Sequence, residues 1–329
     1  MAKKALILGI TGQDGSYLAE ILLEKGYEVH GFIRRTSTGN TKNIEHLLDK
    51  VTLHRGDMLD ATSLYRAIQE SKPEEIYNEA DQDHAGWSFN AVDYQMNITG
   101  SAPARVLEII RQLNPKIKYF QPITSNIFGK AENPQTEETP FRPQSPYACA
   151  KVLAYVLSRF YRETYGMFVS TGIFYNHESP RRPEEYVTRK ISRAAAKIKL
   201  GLQDKLELGD MSIKIDWGYS KEYMEAAWNI LQLEKPDDFI ICTGEAHSVQ
   251  EFVDEAFGVV GLDPKKYVGV NPKFLRPGVN TTLIGDISKA KKAFGFDPKV
   301  KFKELVRIMV EADLDSVKHH ASSVKKHGA

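Results

Sequence analysis

Ser145-Pro146-Tyr147-Ala148-Cys149-Ala150-Lys151 sets a tyrosine and a lysine four residues apart just inside a helix start. Residues at that spacing share a helix face, so the ammonium stands near the phenol and favours its ionised form. A group of ordinary pKa about 10 then becomes a usable base. Thr124, at the end of an earlier apolar run, could hydrogen-bond the same substrate oxygen. Together the three could draw a proton from a hydroxyl while its carbon gives up a hydride. A receiver is implied by Gly9-Ile10-Thr11-Gly12-Gln13-Asp14-Gly15, a G-x-x-G-x-x-G run between an apolar stretch and a helical pattern. Its glycines allow a tight turn, close approach of backbone to a pyrophosphate and tight helix–strand packing, and the helix N-terminus aims N–H donors at the anion. Gly9, Gly12, Gln13, Asp14 and Gly15 are therefore the candidate cofactor cradle. Many such turns are answered by an acid at the end of the second strand that holds a ribose 2′-hydroxyl. This chain has Arg34-Arg35 there. A guanidinium pair suits a 2′-phosphate, so NADP is expected rather than NAD, with a solvated basic pair as the plainer alternative. Asp57, ending the third strand, could accept from an adenine amino group or cap the next helix.

The elements needed to position these groups can be read from hydrophobic period. Apolar strand runs fall at 5–9, 27–33, 51–54, 75–77 and 118–120, and helical patterns at 16–25, 61–70 and 99–113 separate or follow them. A long helix at 147–165 carries Lys151, and a strand follows at 168–175. Strand–helix alternation predicts an α/β fold with a doubly wound parallel sheet. Beyond it the period breaks at Ser179-Pro180-Arg181-Arg182-Pro183, with a helix expected at 188–200. The expected organisation is a Rossmann domain over 1–172 and a smaller substrate domain over 173–317, some of whose segments return to the sheet. A disordered Lys/His/Ser tail is expected at 318–329. His319-His320 reads as solvated tail, and no metal site is expected.

Composition narrows the function classes. The 329 residues carry 44 Lys+Arg against 43 Asp+Glu, a formal net charge of +1, which gives no electrostatic argument for nucleic acid. No apolar run reaches the roughly 18–20 residues that cross a bilayer, and no signal-peptide pattern opens the chain, so a cytoplasmic protein is expected. Two cysteines, Cys149 and Cys242, build no disulfide framework and fit no zinc-ligand spacing.

With these motifs in view, the chain resembles the GDP-mannose 4,6-dehydratase family within the extended short-chain dehydrogenase/reductases. The resemblance rests on residues 9–20, on Ser145 to Lys151, on Asn176-His177-Glu178-Ser179-Pro180-Arg181-Arg182, on Val187-Thr188-Arg189-Lys190 and, more loosely, on 304–314. It implies a redox cycle within one sugar: a 4-hydroxyl is oxidised, water is lost across C5 and C6, and the hydride returns to C6. It also implies that Tyr147, Lys151 and Thr124 run the oxidation, and that Asn176, Lys190 and Arg276 face the nucleotide diphosphate. A homodimer or homotetramer acting on GDP-mannose or a related nucleotide sugar is implied as well.

The chain departs from the family pattern inside that site. Asn126 stands where the family has the glutamate that removes the C5 proton, and an amide cannot shuttle a proton. Loss of a positioned acid–base group costs about 10²- to 10⁴-fold. Where the family reads Asn-Leu-Ala-Ala-Gln-Ser-His, this chain reads Asn78-Glu79-Ala80-Asp81-Gln82-Asp83-His84, adding three acids. Ile215 replaces an arginine before Asp-Trp-Gly, and Val279 a glutamate after Arg276-Pro277. Three functions follow as expectations: a 4,6-dehydratase with Asp81, Asp83 or a water standing in at position 126; a nucleotide-sugar 4-dehydrogenase, reductase or epimerase; or a binding or scaffold protein without turnover.

Overall fold

The computed structural model describes residues 2–37, 39–274 and 281–327. Along the chain it forms β1 (Lys4–Leu8), α1 (Gln13–Glu24), β2 (Glu28–Arg34), β3 (Val51–Gly56), α2 (Ala61–Ser71), β4 (Glu75–Asn78), α3 (Val92–Gln95), α4 (Ala102–Leu113), β5 (Lys118–Thr124), α5 (Pro146–Tyr165) and β6 (Val169–Phe174). There follow β7 (Asn176–Glu178), α6 (Val187–Lys199), β8 (Leu206–Leu208), β9 (Lys214–Ile215), β10 (Trp217–Tyr219), α7 (Ser220–Gln232) and β11 (Asp238–Ile241). Last come β12 (His247–Ser248), α8 (Val249–Val259), β13 (Val268–Val270), α9 (Ser288–Phe294) and α10 (Phe302–His327).

Two units divide the chain: Met1–Tyr175 with Ser220–Ile241 and Gly285–Asp297, and Asn176–Tyr219 with Cys242–Ile284 and Pro298–Ala329. The first is built on a seven-stranded sheet, ordered β11-β6-β5-β4-β1-β2-β3, with every neighbouring pair parallel. It is the doubly wound α/β sheet that the strand–helix alternation predicts. Strand β1 is apolar at every step after Lys4 because both its faces are covered. Ala5 and Ile7 join one cluster with Leu18 and Leu22 of α1 and Met224 and Ile230 of α7. Leu6 and Leu8 point the other way, to Leu64 and Ile68 of α2 and Val106 and Ile110 of α4. The strand order reverses between β1 and β4, and ligands of such sheets bind beyond the carboxyl ends of the strands at that switch point. Gly9, Glu79 and Asn126 lie just past the ends of β1, β4 and β5.

Helix starts are marked by their caps. Ser145 accepts a hydrogen bond from the Ala148 amide at 3.1 Å and Pro146 opens α5, which puts Tyr147 in the first turn and Lys151 one turn later. Asp60, and not Asp57, caps α2, accepting from the amides of Thr62 and Ser63 at 3.0 and 3.2 Å. Residues Met96–Ser101 wind as a π-helix between α3 and α4, a form frequent at functional sites.

In the second unit α6, α8 and α10 pack Ile191, Phe252, Phe257, Leu305 and Met309 into one cluster, with the strand pairs β7–β10, β9–β12 and β8–β13. The stretch from Lys318 expected to lack order instead continues the backbone of α10 to His327. It has neither glycine nor proline before that point to stop a helix already nucleated on the core.

Candidate active site

The glycine turn adopts a conformation that its own packing demands at two of three positions. Gly9 has φ +82°, and a Cβ there would lie 2.6 Å from the Glu79 carbonyl oxygen. A Cβ on Gly15 would overlap the Gly9 carbonyl oxygen and stand 2.8 Å from Ile10 Cα. Gly12 differs: it is exposed, and its nearest neighbour to such an atom is the Gly9 oxygen at 3.4 Å. Nothing in the turn itself requires its smallness, whereas a pyrophosphate approaching the backbone would. Gly12 is also the N-cap of α1 and brings no side chain over the first amides of that helix. The turn fits a dinucleotide phosphate on these grounds.

The flanking residues serve the turn's own rigidity. Gln13 is buried, its Nε2 donates to Asp14 Oδ1 at 3.3 Å, and its carbonyl accepts from Ser16 Oγ at 2.8 Å. Asp14 accepts from Ser220 Oγ of α7 at 2.6 Å. Arg34 and Arg35 are both exposed at the end of β2, where Arg34 Nη1 donates to Tyr94 Oη at 2.9 Å. Asp57 accepts from the Leu59 amide at 2.9 Å and so closes its own turn.

At the ends of β4 and β5 the catalytic candidates do come together. Tyr147 and Lys151 are both buried, with Nζ of the lysine 5.8 Å from the centre of the phenol ring, and the Thr124 hydroxyl hydrogen-bonds the phenol. Lys151 Nζ donates to the Pro122 carbonyl at 2.9 Å and pairs with Asp81 Oδ2 at 2.6 Å. The other Asp81 oxygen accepts from Thr99 Oγ1 on the π-helix, and Gln95 Nε2 donates to Thr99 Oγ1 at 2.6 Å and to the Gln82 carbonyl at 3.0 Å. A buried ammonium requires such compensation.

This electrostatic setting corrects the sequence expectation for Tyr147. Burial pushes its phenol above the ordinary tyrosine value; Lys151 and the Thr124 hydrogen bond pull it down, while Asp81 and Asp83 push it further up. The net direction is upward. Burial works against the Lys151 ammonium, but Asp81, Tyr147 and Glu79 outweigh it and hold the lysine above its usual value. Asn126 is exposed at the mouth of β5, its backbone N–H donating to Thr124 Oγ1 at 3.3 Å.

Residues of the second unit form their own constellation. Asn176 is exposed at the start of β7, paired in register with Trp217. Lys190 Nζ donates to the Glu207 carbonyl at 2.7 Å and lies 4.1 Å from the Phe274 ring centre, and burial lowers its pKa. The Asn-His-Glu-Ser-Pro-Arg-Arg run builds local structure too: buried Glu178 accepts from Thr188 Oγ1 at 2.6 Å and pairs with Arg182, which stacks on Tyr186. Ile215 packs against the apolar cluster of this unit. Arg276 and Val279 lie outside the described residues. Among the described residues no group of three or more His, Cys, Asp or Glu could hold a metal ion, and no helix is long and apolar enough to cross a membrane.

Sequence reasoning singled out Asp81 as an added acid but not its partners. Thr99 and Gln95 carried no motif; the π-helix brings Thr99 to Asp81, and Gln95 at the end of α3 holds Thr99 in turn.

Known proteins resemble this chain over most of its length. A family model described as GDP-mannose 4,6 dehydratase matches residues 6–309. GDP-mannose 4,6 dehydratase 1 of Arabidopsis thaliana is 48% identical over 328 residues, covering 96% of this chain and 91% of that protein. GDP-mannose 4,6 dehydratase of Homo sapiens is 45% identical, covering 94% of this chain and 91% of that protein. A crystal structure of dTDP-glucose 4,6-dehydratase from Bacillus anthracis str. Ames in complex with NAD superposes with a TM-score of 0.83 at 22% identity, covering 96% of this chain and 98% of that one, which shows the shared fold.

Proposed function

The chain belongs to the GDP-mannose 4,6-dehydratase family, and from that premise we propose that it is a nucleotide-sugar lyase that takes GDP-mannose to GDP-4-keto-6-deoxymannose, with NADP as its recycled cofactor. The observation that carries the reading is the meeting of Tyr147, Lys151 and Thr124 at the same end of the sheet as a glycine turn whose Gly12 leaves room for a phosphate. When bound, the cofactor accepts a hydride and later returns it. The residues of the chain manage protons and position. Tyr147 as phenolate takes the proton of the 4-hydroxyl, Thr124 hydrogen-bonds the same oxygen, and Lys151 supplies the positive charge that favours the phenolate. Arg34 and Arg35 are the proposed partners of a 2′-phosphate, and Gly9, Gly12, Gln13, Asp14 and Gly15 the cradle of the pyrophosphate. Asp57 is the proposed acceptor for adenine. Asn176, Lys190 and Arg276 are proposed to face the nucleotide diphosphate. The reading carries with it a cytoplasmic homodimer or homotetramer.

Elimination is the slow step of this reading. Asn126 offers no transferable proton, and both oxygens of Asp81 are engaged by Lys151 and Thr99, so that carboxylate does not replace the missing base. The same observation favours one second reading, a 4-dehydrogenase, reductase or epimerase that performs only the hydride step. Incubation with NADP and GDP-mannose, followed by mass spectrometry, tests both. A sugar nucleotide lighter by one water supports the lyase. NADPH formed without loss of water, or a chromatographically distinct isomer of unchanged mass with NADP regenerated, supports the second reading, and failure to bind NADP at all overturns both.

A further inference from the structure

We propose that Asp81 is a positioning residue that sets the proton affinity of Tyr147 by neutralising Lys151. The inference rests on the reading of Tyr147 as the base. A tyrosine four residues before a lysine works as a base because an unbalanced ammonium nearby makes phenolate cheap to form. In this chain the ammonium is balanced. Asp81 Oδ2 lies 2.6 Å from Lys151 Nζ, closer than the Pro122 carbonyl at 2.9 Å, while the phenol ring centre is 5.8 Å away. The aspartate is itself held: its second oxygen accepts from Thr99 Oγ1, which Gln95 orients from the turn before. The Lys151 and Asp81 side chains are only 5% and 14% exposed, so the pair sits where charges act strongly on one another.

The groups facing the phenol can be enumerated by element. From α5 comes Lys151, favouring phenolate; from β5 the Thr124 hydroxyl, also favouring it; from the segment after β4 come Asp81 and Asp83, opposing it. Glu79 from that segment helps to hold the lysine charged. Asp83 is exposed and therefore screened by water, which leaves Asp81 as the strong opposing charge. Burial shifts the phenol in the same direction as Asp81, so the two add. This chain therefore keeps the tyrosine and lysine of the motif but returns the phenol to its neutral form, so that proton removal from a sugar hydroxyl calls for more alkaline conditions.

The test reads the phenol directly, in the cofactor-free protein, and does not depend on turnover. Tyrosinate absorbance near 295 nm is followed from about pH 7 to 10.5 for the chain and for Tyr147→Phe, and their difference isolates this one tyrosine. In the parent the difference is expected to stay flat over that range; a phenolate band with a midpoint below about pH 10 overturns the proposal with no change made at Asp81. In the Asp81→Asn background, which keeps the shape and removes the charge, the same difference is expected to rise as a phenolate band inside that range. Curves that overlay overturn the proposal, as does a shift that Asp83→Asn reproduces in full. The outcome stands apart from that of the GDP-mannose assay: a shifted titration with no activity would leave Asp81 in its role and remove the lyase reading instead.

Discussion

Replacing Gly12 by alanine separates what the glycine turn does for the fold from what it does for a ligand. At Gly15 a methyl would overlap the Gly9 carbonyl oxygen and meet Ile10 Cα at 2.8 Å, both backbone atoms that cannot swing away. Overpacking of this kind costs about 1–3 kcal/mol or more. At Gly9 a φ of +82° adds the left-handed penalty of roughly 1–2 kcal/mol to a clash with the Glu79 carbonyl at 2.6 Å. At Gly12 the nearest atom is 3.4 Å away, an ordinary contact, so only the weaker N-cap propensity of alanine is lost, roughly 0.5–1 kcal/mol. Gly12→Ala should therefore unfold within about 3 °C of the parent. Its methyl would nonetheless occupy the approach of the pyrophosphate. The same 1–3 kcal/mol, spent on binding instead of folding, weakens NADP roughly 5- to 150-fold at about 1.4 kcal/mol per decade. Calorimetric titration with NADP, alongside thermal unfolding of Gly12→Ala and Gly15→Ala, gives both numbers. If Gly12→Ala binds NADP as tightly as the parent, the phosphate does not sit on this turn and the cofactor reading of the first helix is wrong.

Three further outcomes are expected. Asn126→Glu places a carboxylate at an exposed position whose backbone is already held by Thr124, and should raise 4-keto-6-deoxy product formation by about 10²- to 10⁴-fold with little change in NADP binding; a variant that binds both ligands and eliminates no faster would show that position 126 is not the broken link. Arg34→Ser and Arg35→Ser should weaken NADP roughly ten-fold or more and leave NAD unchanged, since only NADP carries the 2′-phosphate that accepts their charge-assisted hydrogen bonds; equal losses for the two dinucleotides would refute the assignment. Asp216, in the second unit, is raised by burial from 3.8 to about 6, against the pull of hydrogen bonds from Thr243 and Gly244. The folded chain thus holds this proton more tightly than the unfolded one, and the stability it contributes below about pH 4 is lost as pH rises through 6. At about 1.36 kcal/mol per unit the loss is roughly 3 kcal/mol. Urea unfolding between pH 4 and 7 should show a fall that Asp216→Asn flattens, and parallel curves for the two proteins would count against it.

What the chain declares along its own length is local in cause. The parallel sheet was legible because a strand covered on both faces, such as Ala5-Leu6-Ile7-Leu8, must be apolar at every step, and because helical periods separate such runs. Tyr147 and Lys151 were legible because four residues bring two side chains to one helix face whatever surrounds the helix. Other features depend on groups distant in sequence. Asp81 meets Lys151 across seventy positions and Thr99 across eighteen, and the π-helix that presents Thr99 bears no motif of its own. Asp60 rather than Asp57 caps α2, although both precede it closely and carry the same side chain; the backbone path decides. Residues 220–241 and 285–297 rejoin the first unit, and α10 carries its helix past Lys318, because tertiary packing and a helix already nucleated on a core outweigh the polar local pattern. Residue types and short spacings thus determined which groups could do chemistry. Their proton affinities were decided by burial and by charges delivered from other strands, and these exist only once the chain has folded.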